Sequence, residues 1–446
     1  MSLVMDICRC ASKRTTARFH TNRGRVCRFK QAAIWLLAAS AGTGGTLMCQ
    51  LSYAIGPAGP SWKPRELVHS GVEFQDQAGA DRMLAFDHHG EPGIAFKAET
   101  FFGDIRYARN HPGFGWVAED VFPQTNVNGR GPYASLAYDR HERPAISYLS
   151  ADPNILDSAL RISHYDGSQW QHQVGEFAQN LDIGSWTSLA FDHSGRAAVA
   201  YNDMSNARLR FLYDTDGDFD FSDEAPETID AFGANEEAQY VSLAFDPLNR
   251  PMLSYVTERG ELMFGMKETL EWLTRSIDTN EINIEIASSL AIDPDTGFPA
   301  IAYTSIFLNG SLKYAEWDGN DWVLQTVDGV GSTGLQPSLA FDPTDGNPAI
   351  AYHNPDNDDL RIAWHDGLGW QTGIVDANNG GGSIGINPSI AFREFGTGNK
   401  VAAIAYHDDS GNLYYIEDPP IVSVPEPATA WLALAASLVL WTRCSR

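Results

Sequence analysis

A run of alternating aspartates is the stretch of this sequence whose spacing most directly suggests chemistry. In YDTDGDFDFSDE, residues 213–224, every second position from Asp214 to Asp220 is a carboxylate: Asp214, Asp216, Asp218 and Asp220. Carboxylates at positions 1, 3, 5 and 7 of a loop can surround one hard cation, and Ca²⁺ prefers such oxygen ligands. Phe219 replaces the glycine usual in such loops, and no glutamate stands at the twelfth position. The segment predicts either a Ca²⁺ site or a solvated acidic turn.

Two histidines in corresponding places of neighbouring repeats give a second candidate site. His353 opens the segment HNPDNDD and His407 opens HDDSGN. Because the two segments follow the same strand in adjacent repeats, we expect them to be neighbours in space. With nearby acids they predict a polar or metal-binding patch, whose members are His353, Asp356, Asp358, His407 and Asp408. The alternative is a pair of exposed loop histidines without a ligand.

Several kinds of chemistry are excluded by composition. The five cysteines all lie near the chain ends, at Cys8, Cys10, Cys27, Cys49 and Cys444. Residues 52–443 therefore offer no thiol nucleophile, cysteine metal site or disulfide. The glycine-rich segment 376–389 does not lead into a helix, so it is not a phosphate-binding loop.

The charge distribution separates the first residues from the rest. Residues 1–54 carry eight lysines and arginines and one acid, a charge of +7, whereas the whole chain has −26. The remaining residues therefore carry −33. That charge argues against a nucleic-acid partner, since phosphate binding depends on clustered cations. It suits an extracellular, well-solvated surface.

A segment similar to SLAFD…PAIAY recurs seven times and determines the architecture. Its alanines are 47 to 54 residues apart, at Ala85, Ala137, Ala190, Ala244, Ala291, Ala340 and Ala391. A period of about 50 residues is the length of one four-stranded propeller blade. Alternating β-branched and aromatic residues, bounded by Gly, Pro, Asn and Asp, predict short strands. The sequence predicts an all-β, seven-bladed β-propeller of four-stranded blades over residues 55–420.

The two ends of the repeat array complement each other. The last repeat stops after LYYIEDPP, residues 413–420, without the tryptophan-led fourth strand that Trp322 and Trp370 begin in other repeats. Residues 62–68, WKPRELV, form such a strand without the three that should precede it. We therefore predict that this N-terminal strand completes the last blade, which closes the ring and leaves no open sheet edge.

The aspartate after each SLAF strand is expected to cap a turn, because a catalytic acid is not needed six times. The hairpins YDGSQW, WDGNDW and HDGLGW, at 165–170, 317–322 and 365–370, resemble the Asp-box of sialidase-like propellers. The spacing from Asp to Trp is one residue shorter here, and the leading Ser is absent. That motif is structural in the superfamily, so the resemblance implies the fold and not an activity. No arginine triad or Tyr–Glu nucleophile pair can be assigned from spacing.

The two chain ends predict export. A basic segment, the apolar QAAIWLLAAS and a small-residue step ending at Ala54 predict a secretory signal over residues 1–54. Residues 421–446 contain Pro425, Glu426 and Pro427, then 15 apolar residues (428–442) and a short basic end with Arg443 and Arg446. This tail resembles the PEP-CTERM sorting signal of bacterial exported proteins. The resemblance implies transient membrane insertion, recognition of the Pro-Glu-Pro segment by an exosortase, and removal of the tail.

The sequence thus predicts an exported cell-envelope or extracellular protein with three functional readings. Regular repeats favour a non-catalytic module that binds a polysaccharide or protein, with Ca²⁺ as a possible cofactor. A glycan-processing hydrolase or lyase is the alternative, and it requires one cluster of acids, histidine and arginine unlike the other blades. A self-associating surface-layer protein without a pocket is the third reading.

Overall fold

The computed structural model describes residues 62–72, 82–98, 104–111, 113–122, 133–152, 157–178, 183–233, 236–279, 287–305, 310–329, 334–378, 380–395 and 399–418. All of them belong to one compact unit, Ala54–Arg446. The predicted signal segment and sorting tail lie outside these ranges. Within the ranges, no helix has the length and apolar character needed to cross a bilayer.

The described residues form seven four-stranded antiparallel sheets, which are the blades of the propeller. Blade 1 contains β2 (Leu84–Phe86), β3 (Pro92–Lys97), β4 (Ile105–His111) and β5 (Gly115–Asp120). Blade 2 contains β6 (Ser135–Tyr138), β7 (Pro144–Asp152), β8 (Asp157–Tyr165) and β9 (Trp170–Ala178). Blade 3 contains β10 (Ile183–Phe191), β11 (Ala197–Asp203), β12 (Arg208–Tyr213) and β13 (Glu227–Ala231), with a 3-10 turn at Met204–Asn206.

The remaining blades repeat this order. Blade 4 contains β14 (Ala238–Phe245), β15 (Pro251–Thr257), β16 (Leu262–Glu268) and β17 (Glu271–Asp278). Blade 5 contains β18 (Ser288–Ile292), β19 (Pro299–Ser305), β20 (Ser311–Trp317) and β21 (Trp322–Asp328). Blade 6 contains β22 (Leu335–Phe341), β23 (Pro348–Asn354), β24 (Asp359–His365) and β25 (Trp370–Asp376).

Blade 7 joins the two ends of the array. It contains β26 (Ile384–Phe395), β27 (Asn399–Asp408), β28 (Asn412–Glu417) and, as its outer strand, β1 (Glu66–Ser70). Strand β1 pairs antiparallel with β28, and the inner strand of blade 7 packs against that of blade 1. The predicted closure by the N-terminal strand is therefore confirmed, and the fold is an all-β, seven-bladed propeller.

The serine of the SLAF segment links neighbouring blades. Among the described residues, six such serines accept a hydrogen bond of 2.9–3.1 Å from a backbone N–H on the inner strand of the next blade. The pairs are Ser135–Leu189, Ser188–Leu243, Ser242–Leu290, Ser289–Leu339, Ser338–Ile390 and Ser389–Leu84. Met83 replaces the serine in blade 1, and there the Leu136 N–H donates to the Arg82 carbonyl instead. Each buried bond contributes about 1 kcal/mol to stability.

The recurring aspartate closes the turn after each inner strand. Asp192, for example, accepts the backbone N–H groups of Ser194 and Arg196 and pairs with the Arg196 guanidinium. Asp87, Asp139, Asp246, Asp293 and Asp342 cap their turns in a similar way. The prediction of structural turn aspartates is confirmed, so these six carboxylates are not candidates for catalysis.

Candidate functional site

The acidic loop brings together three of its four predicted carboxylates. Asp214, Asp216 and Asp218 each offer an oxygen within 4.8 Å of the others. Asp220 does not belong to this group, and its carboxylate accepts the backbone N–H of Ser222. The set that could hold a cation is therefore smaller than the sequence suggested.

The loop also uses the first of these carboxylates for its own folding. Asp214 is buried at the end of β12 and accepts the backbone N–H groups of Gly217 and Phe219. Burial raises the pKa of Asp214, and the charges of Asp216 and Asp218 raise it further, while the two amides oppose the change. The same capping occurs at Asp166, Asp318 and Asp366 in other hairpins. The arrangement suits a hairpin turn and leaves Ca²⁺ binding a prediction.

The two predicted histidines are inside strands and not in exposed loops. His353 lies in β23 and His407 in β27, and both side chains are buried. The expectation of exposed loop histidines is therefore wrong, because these second strands extend further than the hydrophobic pattern indicated. Both residues adjoin the start of β26: His353 Nδ1 lies 2.9 Å from the Ile384 carbonyl, and His407 pairs with Ile386 in the sheet.

Burial keeps both imidazoles neutral. It lowers the pKa of His353, and it lowers the pKa of His407 to about 4 although the Ile386 backbone and Asp408 oppose this. Neither ring nitrogen of His407 makes a hydrogen bond of normal geometry. Asp408 caps a turn through the Ser410 and Asn412 amides, and Asp356 is exposed. His353 therefore links blade 6 to blade 7, while the cited contacts of His407 and Asp408 lie within blade 7.

Two cavities lie beside the turns that join the first and second strands of a blade, at the end of the ring opposite His353 and His407. The cavity between blades 1 and 2, here the polar cleft, has a volume of about 480 Å³. The cavity between blades 4 and 5, here the aromatic groove, has a volume of about 410 Å³. Both fall within the usual range for ligand sites.

Tryptophans and arginines line the aromatic groove. Trp317 ends β20 and Trp322 begins β21, with their ring centroids 6.0 Å apart, and Trp322 packs edge-on against Phe264. The guanidinium carbon of Arg275 lies 4.6 Å from the Trp317 ring centroid and 5.8 Å from that of Trp322. Other lining residues are Arg250, Met252, Met266, Leu273, Thr274, Gly297, Phe298 and Pro299. The groove combines aromatic walls with oriented cations.

Titratable side chains line the polar cleft. Tyr107 and Tyr138 place their hydroxyl oxygens 2.6 Å apart, and burial raises the pKa of Tyr107 to about 12. Glu119 accepts the Trp170 indole N–H at 3.1 Å. Further lining residues include His111, His141, Arg109, Arg143, Glu91 and Glu142. Proton transfer is the chemistry that such a set can perform.

A glycine permits the tyrosine pair. A Cβ atom at Gly93 would meet the Tyr138 hydroxyl and lie 2.8 Å from the Tyr107 ring. The corresponding position is alanine or methionine in the other blades, as in Ala145, Ala198 and Met252. Sequence reasoning did not identify either cavity, although the aromatic residues flanking the hairpins were a visible signal. Each cavity depends on side chains from two blades, which single-repeat motifs do not reveal.

The sequence matches no protein-family model, and no curated protein matches it. Solved structures share its architecture at low identity. An ulvan lyase of polysaccharide lyase family PL25 is 13% identical, with a TM-score of 0.52 over 79% of this chain and 95% of that one. An ulvan lyase of the same family bound to a GlcA–Rha3S saccharide is 14% identical, with a TM-score of 0.50 over 80% of this chain and 95% of that one. A Dyadobacter fermentans protein of unknown function is 8% identical, with a TM-score of 0.46 over 79% of this chain and 99% of that one. At these identities the likeness establishes the fold alone.

Proposed function

We propose that this protein is an exported propeller that binds extracellular polysaccharide through the aromatic groove. The observation that carries the proposal is the edge-to-face pair of Trp317 and Trp322, whose ring planes are inclined by 61°, with Arg275 held over both rings. Carbohydrate-binding sites need flat apolar surfaces for the C–H faces of sugar rings and a few fixed polar groups for orientation. The groove provides both.

The size and composition of the groove support this use. A volume of about 410 Å³ accommodates a short saccharide segment and not a protein domain. Strands of blades 4 and 5 and the turns before β15 and β19 hold the lining side chains, so little ordering is needed when the ligand binds. Phe298 at the groove edge is exposed, which extends the apolar surface beyond the cavity.

Export and tail processing are part of the proposal. The segment 1–54 would direct secretion, and an exosortase would act on Pro425, Glu426 and Pro427 while the apolar tail is held in the membrane. Mass spectrometry of the protein from its native host tests this directly. A mature form lacking residues after the Pro-Glu-Pro segment is expected, and an intact C-terminus would contradict processing.

Binding is tested by affinity electrophoresis of the purified protein in gels containing polygalacturonate, alginate, xylan or mannan. We expect at least one polysaccharide to retard the protein, and Trp317→Ala to abolish the retardation because the stacking surface is lost. His365→Ala is the matched control, since His365 occupies the same repeat position in blade 6 outside both cavities. Unretarded migration in every polysaccharide would contradict the proposal.

A glycan-processing hydrolase or lyase is the second candidate function. It is favoured by the polar cleft, where acids, histidines, arginines and a tyrosine pair meet at one blade junction. Within this cleft a tryptophan indole fixes the carboxylate of Glu119, as other indoles fix Glu66 and Glu227 at the same repeat position. Depolymerisation of a bound polysaccharide by purified protein, and its loss in Glu119→Gln, would support this function. Unchanged polymer length after prolonged incubation would exclude it for that polysaccharide.

A further inference from the structure

The aromatic groove differs from the rest of the surface in its charge. Among its twelve lining residues two are arginines and none is acidic. The chain beyond residue 54 nevertheless carries −33, from the totals of the sequence. Such a surface repels polyanions, so a cationic lining at a ligand cavity requires a specific explanation.

Arg275 supplies an accessible positive charge. Its side chain is 45% exposed, and its nearest carboxylate, from Asp321, is 3.7 Å away and 80% exposed. At that distance and exposure the pair is weak, because water screens both groups. The Trp317 ring supports one face of the guanidinium, which leaves the planar N–H edges as donors for a carboxylate or sulfate.

Arg250 adds oriented donors without much net charge. Its Nε lies 2.7 Å and its Nη2 2.6 Å from Asp246 Oδ2, and that carboxylate is buried. The double contact fixes the guanidinium plane beside the groove. Arg275 therefore supplies most of the attraction for an anionic ligand, and Arg250 supplies N–H donors of fixed orientation.

The polar cleft shows that a positive charge at the position of Arg275 is not a property of the repeat. Glu119 lies opposite Tyr107 in blade 1, and Arg275 lies opposite Phe264 at the same place in blade 4. The repeat thus accepts either sign at this position. The fold therefore does not require a cation at the position of Arg275.

We infer that the aromatic groove selects acidic polysaccharides, in which a sugar ring packs against Trp317 or Trp322 while a carboxylate or sulfate pairs with Arg275. This inference rests on the proposed polysaccharide binding. It names the ligand class by the chemistry that the groove recognises, which is an anionic group next to an apolar sugar face.

The test is calorimetry with oligogalacturonates and with the same oligomers after full methyl esterification, which removes the charge and keeps the sugar backbone. Dextran sulfate against dextran forms the sulfate arm. We expect at least one acidic ligand to bind ten times or more tighter than its neutral counterpart, and to weaken between about 50 and about 200 mM salt. Arg275→Gln should remove that preference, whereas Trp317→Ala should remove binding.

Arg208→Gln, which removes another exposed cation from blade 3, is the charge-matched control. An equal loss in Arg208→Gln and Arg275→Gln would overturn the inference, since the effect would then be general electrostatics. Equal affinity for charged and neutral partners would also overturn it while leaving polysaccharide binding intact. Failure of every polysaccharide to bind would instead contradict the proposed function itself.

Discussion

The polar cleft and the aromatic groove occupy the same place in the repeat and have opposite chemistry. Each lies between the third and fourth strands of one blade and the first turn of the next. Tyr107, Glu119 and Tyr165 in the polar cleft correspond to Phe264, Arg275 and Trp317 in the aromatic groove. The backbone frame is shared, so the difference lies in side chains alone.

This comparison shows how a regular propeller acquires separate sites. The inner-strand serines and turn aspartates hold the blades at constant spacing. Residues that face a blade junction near the rim differ between blades: Glu66, Glu119, Glu227 and Gln325 accept an indole N–H of the next blade, and Arg275 stands at the same position in blade 4. Both cavities lie at blade junctions where these side chains differ from those of the other repeats.

The largest expected effect comes from filling the space that allows the tyrosine pair. Gly93→Ala should destabilise the protein by about 1–3 kcal/mol, because the added methyl group overlaps the two phenols. Urea denaturation measures this change. Gly373→Ala is the matched control, since its Cβ would meet Trp364 at an ordinary 3.4 Å.

Adding Tyr138→Phe to Gly93→Ala should restore part of that stability by removing the overlapping hydroxyl. If Gly93→Ala is as stable as the parent protein, the polar cleft is not packed as described. The two cavities would then differ less than their side chains indicate.

A second prediction exchanges the charge at the equivalent positions. Arg275→Glu should weaken binding of an acidic oligosaccharide by more than tenfold, which exceeds about 1.4 kcal/mol. Glu119→Arg should leave that affinity within about twofold, because it alters the other cavity. Calorimetry on both variants measures the asymmetry, and equal losses would place the ligand outside the aromatic groove.

The tyrosine pair gives a smaller effect that is specific to the polar cleft. Tyr138→Phe removes one hydrogen bond and should cost about 0.5–1.5 kcal/mol. Burial raises the pKa of Tyr107 from 10.0 to about 12, so the fold favours the neutral phenol. Its contribution to stability is present below pH 10 and is lost as the pH rises toward 12.

Ultraviolet absorbance of the ionised phenol, followed with pH, measures this transition in the parent protein and in Tyr107→Phe. Burial also raises the pKa of other tyrosines, such as Tyr201 and Tyr255, so the absorbance that appears near pH 12 should fall by one phenol in Tyr107→Phe and not vanish. An undiminished amplitude near pH 12 in the variant would contradict the raised pKa of Tyr107.

The smallest effect is expected at the acidic loop, which lies in neither cavity. If about 1 mM Ca²⁺ half-fills the site, it should stabilise the protein by about 0.4 kcal/mol through mass action. Thermal unfolding with and without Ca²⁺ measures this, and Asp216→Asn should remove the difference. A thermal midpoint indifferent to Ca²⁺ would leave the segment as a hairpin turn, and groove binding would be unaffected in either case.

The fold was predictable from the sequence because each of its constraints recurs within one repeat. The serine, the turn aspartate and the tryptophan of the fourth strand appear in register, and residues 62–68 visibly lack three partner strands. Such local, repeated patterns can be recognised without knowing which blades are in contact. They were sufficient to predict the closed ring.

The sites were less predictable because they combine residues about 25–50 positions apart in sequence. Arg275 and Trp317 come from different blades, and nothing in either repeat alone marks them as neighbours. The expected loop position of the two histidines was wrong for another reason. His353 and His407 continue their strands, so burial and not loop exposure determines their surroundings.

A crystal structure with a bound oligogalacturonate is the most direct test of the central claim. The account predicts a sugar ring against Trp317 or Trp322 and a uronate carboxylate within hydrogen-bond distance of Arg275. A saccharide bound in the polar cleft, with the aromatic groove empty, would contradict it.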